Sequence, residues 1–278
     1  MLLQGRLLLI AGSDSGGGAG IQADLKTATA FGAYAATAIT ALTAQDTTGV
    51  RAVHPVPPDF IALQIRMALA DPGADVIKTG MLGDAATIDA VCAALSDSEL
   101  PLVADPVMQA KGGAALLAPA SLGLLRTLLL PRVTLLTPNL PEAEALTGRT
   151  IADVAAMEAA AARLMEVGAP AVLLKGGHLP GEVVVDILAT PAGVEHFTAP
   201  RLPGRHTHGT GCTLATAIAA GLAQRLSLRD AVVRARAYVY DAIASAPGFG
   251  LGHGPLNHAV WSYFEAPGAA KHPSKKTL

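Results

Sequence analysis

The stretch RLLLIAGSDSGGGAGIQADL, residues 6–25, changes character twice. It begins as an apolar run with no polar alternate, the pattern of a strand buried on both faces. It then passes into a glycine-rich turn, where missing Cβ atoms let the backbone come close to another group. It resumes with helical spacing: within AGIQADLKTATAFG (19–32), Ile21, Leu25 and Ala28 share one face. Strand, tight turn and helix make the first half of a βαβ unit. The opening MLLQGRLLLIAGS faintly resembles a signal peptide, but its apolar core is short and runs straight into DSGGGAG, so it reads as a buried first strand.

The same alternation continues along the chain. Further short apolar runs are YAATAITALTA (34–44), ADVIKTG (74–80), PLVADPV (101–107), VTLLTPN (133–139) and AVLLKGG (171–177). Segments of helical spacing lie between several of them. DFIALQIRMALAD (59–71) puts Phe60, Leu63, Met67 and Ala70 on one face; TIDAVCAAL (87–95) and DVAAMEAAAARLMEVG (153–168) follow. EVVVDILAT and GVEHFTAP read as two edge strands with a turn at Pro191–Gly193, and helices at about 211–225 and 228–246 close the domain. The expectation is an α/β fold, a mainly parallel sheet with helices on both faces. A single domain spans 1–265, and APGAAKHPSKKTL forms a basic, frayed tail over 266–278.

Composition excludes several classes. Hydrophobic residues are 51% and charged residues 15%, enough apolar material for a large core, and the formal net charge of −2 offers no basic excess for nucleic acid. No apolar run approaches the ~20 residues of a membrane span. Two cysteines, Cys92 and Cys212, make no disulfide framework, so a cytoplasmic setting is expected, with Cys92 a buried packing residue.

In such sheets ligands bind beyond the carboxyl ends of the strands. Each apolar run ends in suggestive residues: GSDSGGGAG, AQDTTG, KTGML, DPVMQAKGG, TPNLPEAE and KGGH. The first turn, with the helix after it, can receive an anion. Gly18, Gly20 and Ala23 also fit a dinucleotide fingerprint loosely, with Asp46 as ribose ligand. No Gly-Lys-Ser/Thr occurs, so no P-loop is present.

HTHGTGCT (206–213) is the second candidate. Gly209, Thr210 and Gly211 can converge several N–H groups at a helix start, where partial positive charge gathers. Cys212 in that field should ionise more easily than a free thiol, at roughly 8.5, and can then take a hydroxyl proton. The alternatives are a small residue packing the helix start, or zinc held with His206 and His208. In TPNLPEAE, Asn139 and Glu142 can orient a water shell around Mg²⁺ or form a capping box. Asp105 and Lys175 each end an apolar strand. They can serve cation and phosphate, or belong to structural ion pairs.

Taken in order, GSDSGGGAGIQADLKT, TALTAQDTTGV, KTGMLG, ADPVM, TPNLPEAEALTG, LLKGGH and HGTGCTLA resemble the hydroxymethylpyrimidine/phosphomethylpyrimidine kinases of thiamine biosynthesis, in the ribokinase superfamily. The resemblance implies a three-layer α/β/α sandwich. It also implies ATP-dependent, Mg²⁺-assisted phosphorylation of an aminopyrimidine alcohol and then of its monophosphate. By the same resemblance Cys212 is the catalytic base, and the backbone of Gly209, Thr210 and Gly211 the anion hole. Gln45 reads the pyrimidine. Gly12, Asp24, Met81 and Val107 line the substrate pocket. Asn139, Lys175 and Asp105 serve the nucleotide, with Glu142 and Asp105 linked to Mg²⁺ through water. The superfamily leaves room for a homodimer. Gly16 and Asp46 depart from the family pattern, which has serine and asparagine there, and Asp46 beside Gln45 is expected to bear on substrate preference. Two other readings remain: a pyridoxine or pyridoxal kinase of the same superfamily, and a non-catalytic vitamin-binding protein.

Overall fold

A computed structural model describes residues 4–261. The frayed tail expected over 266–278 lies outside the described residues. Nine strands form one sheet in the order β3-β2-β1-β4-β5-β6-β7-β8-β9. Its centre is parallel: β1 (Arg6–Asp14), β2 (Tyr34–Asp46), β4 (Val76–Thr79), β5 (Leu102–Ala104), β6 (Leu135–Leu136) and β7 (Val172–Leu174). Antiparallel partners finish both edges. β3 (Gly49–Pro55) folds back on β2, and the hairpin β8 (Val183–Thr190) and β9 (Gly193–Pro200) continues from β7.

The central strands alternate between two apolar layers, as the pleat requires. Leu8, Ile10, Ile77, Ala104, Leu136 and Leu174 enter one cluster; Leu7, Leu9, Val76, Val103, Leu135 and Leu173 enter the other. The first is covered by α2 (Pro58–Ala70), α3 (Ala85–Ala94), α5 (Leu140–Thr147) and α6 (Val154–Glu166). An irregular helical run from Pro119 to Arg132, with α4 (Leu122–Leu124) inside it, packs there too. The second is covered by α1 (Gly20–Ala30), α7 (Thr210–Ala223) and α8 (Leu228–Ala244). Cys92 packs into the first layer, 6% exposed. No helix among the described residues is long and apolar enough to cross a membrane.

Two helix faces differ from expectation. Helix α2 buries Ile61, Ile65 and Ala68, while Phe60, Leu63 and Met67 are exposed. This helix carries two apolar stripes, and contact with the sheet selects the one with Ile61 and Ile65. On α1, Leu25 lies at the rim, and Ile21, Ala23, Asp24, Thr27 and Ala28 face inward.

Candidate active site

The glycine-rich turn after β1 is organised by Asp14. Its carboxylate accepts the N–H groups of Gly16 at 2.8 Å, Gly18 at 3.0 Å and Ala19 at 2.8 Å. His208 Nε2 lies 2.9 Å from the same carboxylate. The turn's donors are therefore spent within the protein, and it is not the anion site that its glycines suggested. Gly20 is needed for close packing: a Cβ there would stand 2.3 Å from the Gly12 carbonyl oxygen. The loose dinucleotide match is thereby accounted for structurally. Asp46, its ribose candidate, caps its own β2–β3 turn by accepting the Thr48 and Gly49 N–H groups. Asp46 is exposed and does not line the cavity that Gln45 lines. Gly16 sits in the turn with Asp14 Oδ1 and the Gln45 carbonyl oxygen 3.2 and 3.3 Å from a would-be Cβ, so a side chain there needs a small local shift.

The donors that stay free are at the start of α7. Gly209, at φ 84°, turns the chain into the helix, and a Cβ on it would overlap the Gly18 carbonyl oxygen at 1.8 Å. Among the described residues, the N–H groups of Gly211 and Cys212 have no acceptor. Thr210 closes the turn by donating its hydroxyl to the Thr207 carbonyl at 2.8 Å. Opposite, Lys175 donates to Asp105 at 2.7 Å. A Cβ on Gly211 would come within 3.1 Å of both Asp105 Oδ2 and Lys175 Nζ. Glycine is what lets this ion pair approach the helix start.

Cys212 does not ionise as readily as expected. Burial pushes its thiol up to about 12, and the charges of Asp24 and Asp105 add to that push; Lys78 and the Gly20 N–H pull the other way. The helix-start field is present, but desolvation of the thiolate outweighs it.

Beneath the thiol lies a group that sequence reading missed. Lys78 and Asp24 are both fully buried, with Lys78 Nζ 2.8 and 3.0 Å from the two carboxylate oxygens. Thr216 donates to Asp24 at 2.7 Å. Burial lowers the Lys78 pKa, but the charge and hydrogen bond of Asp24, with the charge of Asp105, outweigh it and hold an ammonium. Asp24 does not line the cavity; the substrate contact expected for it is replaced by this ion pair under the floor. A lysine inside an otherwise apolar strand was the available signal.

Asn139 and Glu142 form the capping box of α5: Asn139 N–H donates to Glu142 Oε2 at 2.7 Å, and Glu142 N–H to Asn139 Oδ1 at 2.9 Å. Burial raises the Glu142 carboxyl to about 7 and Asp105 adds to the rise, against the pull of Lys175. Two carboxyl groups share one lysine here, so Glu142 is held partly protonated and an arriving cation would favour its ionised form. Among the described residues no group of three His, Cys, Asp or Glu side chains is placed to hold a metal. A divalent ion would fit only through water and phosphate oxygens, as Mg²⁺ prefers.

One cavity of about 1300 Å³ unites these parts. Gly12, Gln45, Met81, Val107, Asp105, Asn139, Glu142, Lys175 and the turn from Gly209 to Cys212 all line it. Asp14 and His208, absent from the sequence-based site, line it too. So does an apolar flank of Val184, Phe197, Val233 and Tyr240.

Free amide donors close to an ammonium, with carboxylates beside them, at the strand ends of a mainly parallel α/β sheet, are the features of a phosphotransferase. The comparisons specify it further. The family profile described as Phosphomethylpyrimidine kinase matches residues 14–257. A bifunctional thiamine-biosynthesis protein of Geobacter sulfurreducens is 52% identical over 92% of this chain, which spans only 53% of that longer protein. The hydroxymethylpyrimidine/phosphomethylpyrimidine kinase of Streptomyces coelicolor is 46% identical, covering 93% of this chain and 96% of its own. Pyridoxal kinase from Staphylococcus aureus, solved with AMP-PCP and pyridoxal, superposes with a TM-score of 0.86 at 34% identity, over 95% of this chain and 96% of that one. The chain belongs to the phosphomethylpyrimidine kinase family.

Proposed function

We propose that this protein transfers the γ-phosphoryl group of ATP to the hydroxymethyl oxygen of 4-amino-5-hydroxymethyl-2-methylpyrimidine. It then phosphorylates the resulting monophosphate, giving the diphosphate used in thiamine biosynthesis. The observation that carries this reading is the pair of free N–H groups at Gly211 and Cys212, in one cavity with Lys175 and Gln45.

Gln45 binds the polar edge of the ring, with Met81, Val107 and Gly12 against its faces. A Cβ at Gly12 would stand 2.9 Å from Met81 Sδ, so glycine leaves the methionine room to lie against the ring. Lys175 and the two free N–H groups stabilise charge on the phosphoryl oxygens as it moves. Asp105 keeps Lys175 aimed at them. Asn139 fixes Glu142, which with Asp105 would hold Mg²⁺ through water; that ion would supply positive charge against the phosphates. The apolar flank at Val184, Phe197 and Tyr240 excludes water from the nucleotide. Cys212 takes the hydroxyl proton. Its high pKa leaves little thiolate at neutral pH but makes that thiolate a strong base. In a loose transition state the proton leaves late, after the oxygen has begun to bond to phosphorus.

Phosphate transfer from labelled ATP tests the reading, with three acceptors compared: the aminopyrimidine alcohol, its monophosphate and pyridoxal. Both pyrimidines should be phosphorylated, and Cys212→Ala should lower kcat by ~10²–10⁴, the range for a lost general base. Preference for pyridoxal, or no transfer at all, would overturn it.

A further inference from the structure

His208 has no part in the chemistry above, yet it is buried in the cavity wall one residue before the anion turn. Its Nε2 lies 2.9 Å from Asp14 Oδ2 and 3.2 Å from Gln45 Nε2. Gln45 Oε1 lies 3.3 Å from Thr43 Oγ1, and both contacts exchange partners when the amide is turned over. Asp14 is ionised: burial raises its pKa, but the hydrogen bond and charge of His208 and the N–H groups of Ala19 and Gly16 together bring it below the ordinary carboxylate value.

The donor inventory decides which way the amide points. A carboxylate only accepts, so the ring nitrogen facing Asp14 carries a hydrogen. That N–H cannot accept from an amide NH₂, and its one hydrogen is shared between Asp14 at 2.9 Å and Gln45 at 3.2 Å. The end of Gln45 that faces His208 is therefore its oxygen. Thr43 gives the same answer separately. Its single hydroxyl hydrogen has two acceptors in reach, the Ser13 carbonyl at 2.9 Å and Gln45 at 3.3 Å; placed on the shorter Ser13 contact, it leaves only lone pairs toward Gln45. The end facing Thr43 is therefore the NH₂ group.

We infer that Asp14–His208 on one side and Thr43–Ser13 on the other lock the Gln45 amide in one of its two orientations, and that this lock makes the pocket selective for an aminopyrimidine edge. The inference rests on Gln45 as the ring-reading residue. An aminopyrimidine presents an amine donor beside a ring-nitrogen acceptor. A carboxamide meets both at once in one orientation; reversed, oxygen faces the ring nitrogen and NH₂ faces the amine. Pyridoxal offers a ring hydroxyl, which donates or accepts as required and is indifferent to the reversal. Asp14, His208 and Thr43 are positioning residues: they act on the substrate through Gln45.

Steady-state kinetics on four variants test this. His208→Leu removes the donor that holds the amide oxygen. It should raise KM for 4-amino-5-hydroxymethyl-2-methylpyrimidine by ~10–100-fold, the scale of mispaired buried hydrogen bonds. KM for MgATP and the inhibition constant of pyridoxal should move less than about threefold. His208→Gln, whose NH₂ can serve both Asp14 and Gln45, should bring the pyrimidine KM back toward the wild-type value. Thr43→Val removes the second clamp without touching the histidine and should raise the same KM, so the idea stays testable even where His208→Leu misfolds. Gln45→Ala is the control. A large pyrimidine effect in Gln45→Ala with none in His208→Leu or Thr43→Val overturns the lock alone. A rise shared equally by pyrimidine and MgATP also overturns it, because that is general damage. No pyrimidine effect in Gln45→Ala overturns both the lock and the reading of Gln45.

Discussion

Titrating Cys212 puts the site's electrostatics to a direct test. The perturbation is pH, applied to a Cys92→Ala variant so that one thiol remains. Cys212 has its thiol raised to about 12, with burial first and Asp24 and Asp105 behind it, against Lys78 and the Gly20 N–H. A group with that pKa is about one part in 10⁵ thiolate at pH 7 and about one part in 10³ at pH 9. An ordinary cysteine, at roughly 8.5, is a few per cent thiolate at pH 7 and mostly thiolate at pH 9. The empty protein should therefore be alkylated by iodoacetamide some 10³-fold more slowly than free cysteine at pH 7, from ionisation alone. The rate should climb about tenfold per pH unit and show no plateau up to pH 10. Mass spectrometry of the Cys212 peptide reads both quantities. A plateau near pH 8 or below would mean that the helix-start field and Lys78 outweigh burial, and the account of a strong, scarcely populated base would fall. The same scarcity should appear in catalysis: where chemistry limits the rate, kcat should rise with pH between 7 and 9.

Other perturbations probe the frame around the thiol. Lys78→Met should cost about 3–5 kcal/mol in urea unfolding, because Asp24 is left charged and fully buried; Lys78→Met/Asp24→Leu should recover most of it, and a single variant as stable as wild type would contradict the pairing. Gly211→Val should abolish phosphoryl transfer while leaving the far-UV circular dichroism unchanged, since its side chain enters the space between α7 and the Asp105–Lys175 pair. An active Gly211→Val enzyme would show that this approach is not used. His258, buried and 3.0 Å from Thr213 Oγ1, has its pKa lowered to about 4, by burial first and Lys26 second. A depressed histidine stays neutral in the fold while the unfolded chain takes up a proton, so stability is intact above about 6.5 and is lost as pH falls toward 4. The loss attributable to His258 is on the order of 3 kcal/mol, and His258→Gln should flatten that window in acid denaturation.

The strands were legible because burial on both faces removes the polar alternate, as at Leu7–Ile10 and Val172–Leu174. β3 was not, because Gly49–Pro55 is an edge strand with mostly exposed side chains, and Arg51 and His54 carry no apolar rhythm. The face of α2 was misread because Phe60, Leu63 and Met67 make a stripe as regular as Ile61, Ile65 and Ala68. Only the position of the sheet separates them. At the site, residues on the rim could be collected from strand ends, since topology brings those ends together. The acidity of Cys212 could not be read that way. It depends on burial first and then on Lys78, Asp24 and Asp105, which come from β4, α1 and the end of β5 and meet only in the folded core.

The two halves of the site are joined by backbone rather than by long side chains. Gly209 lies against the Gly18 carbonyl and Gly20 against the Gly12 carbonyl, at separations that no Cβ would allow. Asp14 ties the first turn to His208, and His208 leads directly into the anion turn. The ring-reading glutamine and the free donors at Gly211 and Cys212 are thus referenced to the same few backbone segments. On the proposed reading, phosphoryl transfer would use the anion turn and choice of alcohol would rest on how Gln45 is held. Thr43 holds Gln45 from the strand side, away from the α7 start, so of the three positioning residues it is the one whose change would leave the anion turn in place. The close superposition with a pyridoxal kinase is what such a division of labour would leave behind.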